Sequence, residues 1–102
     1  ILTLTISSTY TYNGSYNTNV VLFSTNPSAS FILPSPTNIT DGTWIRITNA
    51  SQNSIYIMNS NSSNLCTLAS SQIQSSTGYT NGSSVLFIKC KDPKGIDCWV
   101  RF

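Results

Sequence analysis

Asp41, Asp92 and Asp97 are the three side-chain carboxylates of this 102-residue chain, and it has no histidine. Without an imidazole, Ser–His–Asp and Cys–His nucleophilic chemistry are excluded. A glycosidase needs two carboxylates flanking one bond. Asp41 and Asp97 could approach one another, but Asp41 lies in an Asp-Gly turn, and turn formation accounts for it. Asp92 opens Asp92-Pro93-Lys94-Gly95, a turn with Pro at i+1 and Gly at i+3. No Gly-rich phosphate loop or calcium-loop spacing occurs. The expectation is a protein that is not an enzyme and carries no cofactor.

Cys66, Cys90 and Cys98 are the remaining reactive side chains. Structural zinc wants four nitrogen or sulfur ligands, so three cysteines without histidine argue against a metal. Cys90 and Cys98 flank the turn KDPKGID and could meet across a hairpin as a disulfide. The odd number argues against a complete disulfide framework, and three buried thiols are the competing reading.

Sugar binding asks for exposed aromatics that stack on rings and for amides or hydroxyls that bond their oxygens. Tyr79, in the loop between Gly78 and Gly82, is the first candidate, with Asn81 beside it. Tyr10, Tyr12 and Tyr16 cluster around Asn13-Gly14-Ser15, and Asn61 lies in the polar loop Asn59 to Asn64. Trp44 and Tyr56 sit within strands, where cross-strand packing or a subunit interface explains them. N-x-S/T sequons occur at Asn13, Asn38, Asn49, Asn61 and Asn81, but Ser and Thr are so frequent that chance supplies several.

The elements that must position these residues are strands. Charged residues make up 8% of the chain, against about 25% in soluble domains. Aromatics reach 11% and β-branched residues abound, which favours an ordered β-fold over disorder. The net charge of +2 forms no basic stripe, so nucleic acid is not an expected partner. No apolar run reaches the ~18 residues of a membrane span. The whole chain, 1–102, reads as one domain of modest core.

Period-2 alternation runs through Ile1 to Ile6, Thr43 to Thr48, Ser54 to Met58 and Ser84 to Cys90. Asn19 to Ser24 is a continuous apolar run, and Ala29 to Leu33 is a short strand ended by Pro34 and Pro36. Thr43 to Thr48 and Ser54 to Met58 read as a hairpin, and Leu65 to Gln74 as two short strands. Asp97 to Phe102 pairs back across the Asp92 turn. The expected fold is all-β, an antiparallel, jelly-roll-like sandwich of about eight to ten short strands.

Leu33-Pro34, Gly42, Thr48-Asn49, Ile55 to Ile57, Ser84 to Ile88 and Trp99 recur in an order that resembles a β-domain of viral and bacteriophage fibres. The resemblance covers residues 29 to 102, and Cys90 and Cys98 depart from its pattern. It implies a homotrimeric fibre head on the virion surface, the C-terminal part of a longer chain, attaching to a host-surface receptor or glycan. An opening inside a strand is read the same way, as a piece of a longer protein. Threefold assembly would bury further strand faces of a small all-β domain and protect its edges. Loops at Tyr10 to Tyr16, Asn59 to Asn64 and Ser76 to Ser83 are the expected contact surfaces. A structural trimerisation cap and a monomeric carbohydrate-binding sandwich are the competing readings.

Overall fold

The computed structural model describes residues 1–70 and 83–102, together with the backbone at 73–74 and 78–79. The alternating runs all become strands: β1 (Leu2–Ile6), β2 (Thr9–Thr11), β3 (Thr18–Ser24), β4 (Ser30–Ile32), β5 (Trp44–Asn49) and β6 (Ile55–Met58). They are followed by β7 (Asn64–Leu68), β8 (Ile73–Gln74), β9 (Gly78–Tyr79), β10 (Ser84–Lys91) and β11 (Asp97–Arg101). No helix occurs among the described residues. The two-strand reading of Leu65 to Gln74 agrees with β7 and β8.

Two main sheets form, in the orders β1-β3-β5-β10-β11 and β2-β4-β6-β7, with β8 and β9 as a separate short ribbon. The sheets are mixed, which corrects the antiparallel expectation. β1, β3 and β5 run parallel in the first sheet, and β2, β4 and β6 run parallel in the second. The chain therefore makes three stacked arcs, each one strand of the first sheet followed by one of the second. The proposed hairpin between Thr43 to Thr48 and Ser54 to Met58 does not exist: β5 pairs with β3 and β10, and β6 with β4 and β7. A five-residue link, Ala50 to Ser54, carries the chain from one sheet to the other instead of folding it back in plane.

Backbone bonds continue the ladder through the arc turns, where Thr25 N–H donates to the Ile6 carbonyl at 3.1 Å and Ala50 N–H to that of Leu22 at 2.9 Å. At the far ends of the same turns, Ser30 N–H donates to the Ser8 carbonyl and Tyr56 N–H to that of Ala29, each at 3.2 Å. Stacked arcs thus satisfy one another's turn backbone, which an isolated arc would leave to water. Asn13-Gly14 is not a hairpin turn, because β2 and β3 lie in different sheets. Gly14 is needed for room: a Cβ there would sit 2.7 Å from the Tyr12 hydroxyl oxygen and 2.8 Å from the ring.

Alternation decides the faces. Val20, Leu22, Ile45, Ile47, Val85 and Phe87 turn inward from the first sheet, against Phe31, Ile55, Ile57 and Leu68 from the second. Parallel register puts Val20 beside Ile47, and antiparallel register puts Ile47 beside Val85 and Ile45 beside Phe87. Each fully buried aliphatic or Phe side chain contributes roughly 1.5–3 kcal/mol. The Asn19 to Ser24 run is covered on one face only, since Val20 and Leu22 are buried while Val21 and Phe23 are half-buried.

The last hairpin forms as its turn residues predict. Asp92 Oδ1 accepts from Lys94 N–H at 2.8 Å and Ile96 N–H at 2.9 Å, and Gly95 takes φ +79°. It sets β11 against β10, with Lys89 opposite Trp99 and Cys90 opposite Cys98.

Candidate functional site

β11 and the loop between β6 and β7 wall a cleft of about 240 Å³, lined by Pro36, Asn59, Ser60, Asn61, Leu65, Asp97, Cys98 and Trp99. The loop is shaped by its own amides. Asn59 Oδ1 accepts from the N–H groups of Asn61 and Ser63, both at 2.9 Å, and Ser62 N–H donates to the Asn59 carbonyl at 2.9 Å. Ser62 takes φ 62° to complete the turn, a left-handed conformation that favours glycine.

Trp99 faces inward from β11, half-buried, and donates its indole N–H to the Pro34 carbonyl at 2.9 Å. Its ring lies 6.3 Å from that of Tyr16, Tyr16 meets Tyr12 edge-on at 6.3 Å, and Tyr12 lies 5.4 Å from Phe31. This aromatic column runs from the cleft into the core, and such contacts hold the rings in defined orientations.

Asp97 is tied from two sides. Its Oδ1 accepts from the Lys89 ammonium at 2.7 Å and from that of Lys91 at 2.8 Å. Lys89 also meets Asp41 Oδ1 at 2.5 Å, although the Lys89 side chain is only 3% exposed. A buried ammonium is tolerated when paired in this way. Hydrogen bonding to Asp41, and then to Asp97, holds Lys89 above the ordinary lysine pKa. Bonding to Lys89, and then to Lys91, holds Asp97 below the ordinary carboxylate value. Asp41 is thus more than a turn residue, and Lys89 brings it together with Asp97. A lysine at an inward position of the alternating strand Ser84 to Cys90 was the signal, because it demands a carboxylate partner.

The expected contact residues divide. Asn61 is exposed and lines the cleft, and half-buried Tyr16 stands behind Trp99. Tyr12 corrects the expectation of a surface aromatic: it is 1% exposed, bonded through its hydroxyl to the Ser15 carbonyl, and burial raises its pKa. Tyr79 contributes its backbone to β9 opposite Ile73, while its side chain and Asn81 lie outside the described residues. Cys90 and Cys98 hold their sulfur atoms 3.8 Å apart as free thiols. Trp44 packs beside Ile88 across β5 and β10, not against Tyr56, which faces out from the other sheet. Trp99 and Asp97 were not singled out as binding residues, yet counting the hairpin register back from the Asp92 turn places both on the inward face with Lys89.

The sequons also separate. Asn38 and Asn61 are exposed, whereas Asn49 is fully buried. Asn49 Nδ2 donates to the carbonyls of Asn53, Leu68 and Ala69 at 2.8, 3.0 and 3.1 Å. Its Oδ1 accepts from Ser51 N–H at 2.9 Å and from the Ser51 hydroxyl at 2.7 Å. It clamps the third arc turn to the end of β7, so its amide is closed to glycosylation in the folded chain.

An aromatic flank, the Asn59, Ser60 and Asn61 rim and an ion-paired carboxylate together suit the hydroxyl-rich faces of a sugar ring. The described residues contain no group of three His, Cys, Asp or Glu side chains placed to hold a metal ion. No family model, curated protein or solved structure matches this chain.

Proposed function

We propose that this chain is the head of a virion fibre, assembled from three copies, that attaches to a host-surface glycan through the cleft beside Trp99. One observation carries the reading. The cleft joins an immobilised aromatic to an exposed amide loop at Asn59 to Asn61, with Asp97 on the opposite wall. Such a site orients hydroxyls by hydrogen bonds while one sugar face rests on an apolar flank. The stacked arcs support a rod-like role, with extents of 48 × 22 × 20 Å.

Assembly is supported by the outer face of the five-stranded sheet. Trp44, Ile88 and Val100 form one cross-strand row there, with Leu86 beside it. An apolar row that runs across β5 and β10 to the edge strand β11 is the kind of surface that copies of a chain cover in an oligomer. The same row favours the second reading, a structural trimerisation cap that binds no ligand.

Sedimentation and glycan-array binding test these readings together. The fibre-head reading expects a trimer at micromolar concentration and glycan binding that Ser60→Trp abolishes by filling the cleft. A trimer without glycan binding supports the structural cap. A stable monomer overturns the fibre reading and leaves a carbohydrate-binding module.

A further inference from the structure

The β10–β11 hairpin carries a chemistry that attachment does not use. Cys90 and Cys98 are direct cross-strand partners, so both side chains leave the same face of the sheet. The backbone bonds Phe102 N–H to Leu86 and Asp92 N–H to Ile96 bracket the pair, each at 2.8 Å. Bonded pairs recur at every second residue of an antiparallel ladder, so Cys90–Cys98 is itself a bonded pair with Cα atoms about 5.5 Å apart. That separation lies within the range a disulfide spans, about 4.4–6.8 Å. The sulfur atoms are already 3.8 Å apart. Closing the bond therefore asks for side-chain rotation, with the ladder left in register. Cys66 stands on β7, in the other sheet.

We propose that Cys90 and Cys98 form a reversible redox site, closed by thiol–disulfide exchange with a small-molecule disulfide such as oxidised glutathione. Both cysteines are half-buried, on the sheet face opposite to Asp97 and Trp99, which leaves an oxidant an approach from outside the cleft. One cysteine thiolate attacks a sulfur of the small disulfide, forming a mixed disulfide and releasing one small thiol. The other cysteine, losing its proton, then attacks the protein-bound sulfur and releases the second small thiol. Two protein thiols are oxidised to one disulfide, and one small disulfide is reduced to two thiols. The product locks β11, an edge strand that pairs in its sheet with β10. Asp97 and Trp99, on either side of Cys98, are locked with it as cleft walls.

The test is thiol labelling of the native, reduced chain before and after incubation with oxidised glutathione, with acid quenching, denaturation and peptide mapping by mass spectrometry. Reduced protein takes three labels, one for each cysteine. Oxidised protein is expected to take one label, on Cys66, with Cys90 joined to Cys98. Closing so short a loop is expected to raise the Tm by about 5–10 °C, reversed by a dithiol reductant. Cys66→Ser should keep that shift, and Cys98→Ser should lose it. Retention of three labels, a stable mixed disulfide with glutathione, a link to Cys66 or a bond between chains would each overturn the proposal.

Discussion

Asn49→Ala removes the clamp between the third arc turn and β7, and its cost follows from the bonds it breaks. The side chain is fully buried, and its Nδ2 serves the Leu68 and Ala69 carbonyls as well as that of Asn53. Alanine has no group to replace them, and the bond to the Leu68 carbonyl is buried from water. A typical net hydrogen bond contributes about 1 kcal/mol, and each buried carbonyl deprived of a donor adds about 1–3 kcal/mol. Allowing for relaxation, the expected loss is about 3 kcal/mol, or roughly 12–20 °C in Tm for a domain of this size. Urea denaturation checks it, with the midpoint falling and the m-value unchanged. Asn49→Asp sharpens the test. It keeps an acceptor for Ser51 but sets a carboxylate against carbonyl oxygens, so it should cost at least as much as alanine. A loss under about 1 kcal/mol for Asn49→Ala, or a milder effect for Asn49→Asp, would refute the clamp.

Gly14→Ala should destabilise by about 1–3 kcal/mol, because its methyl would press on the buried Tyr12 ring, as overpacking does elsewhere; calorimetry reads the change. Ser62→Gly should stabilise by about 0.5–1 kcal/mol by relieving a left-handed serine in the cleft loop, measured as a small rise in Tm. Stability should fall at both ends of the pH scale. Asp97 has a lowered pKa in the fold, so its contribution is present above the ordinary 3.8 and is lost as pH falls through the lower folded value. Lys89 has a raised pKa, so its contribution is present below the ordinary 10.5 and is lost as pH rises through the higher folded value. Denaturation midpoints across pH should show both limbs. Lys89→Met should remove the lysine's share of the alkaline limb, leaving that of buried Tyr12, and weaken the acid limb, leaving only Lys91 on Asp97.

Local chemistry was legible where neighbours in sequence decide the outcome. Alternation in Leu2–Ile6, Trp44–Asn49 and Ser84–Lys91 assigned strands and faces, because period-2 geometry needs no distant partner. Asp92 and Gly95 specified the last hairpin, because the turn bonds lie within five residues. Asn61 was legible as an exposed loop amide. Tyr12 was misread because a tyrosine near a Gly turn suits the surface and the core equally, and its burial rests on packing with Phe31 and Tyr16.

Strand partners were decided by tertiary structure. Alternation says which side chains face the core, not which strand lies alongside, and so a short link between β5 and β6 read as a hairpin. The arcs pair Leu2 with Val20 and Val20 with Ile47, across separations that local pattern does not encode. The same folding brings Asp41, Lys89 and Asp97 together and sets Trp99 beside the Asn59 loop. Sequence determined the strands, their inward faces and the last turn. Stacking of the arcs decided the cleft, because burial of the two apolar faces selects the pairing that covers both at once.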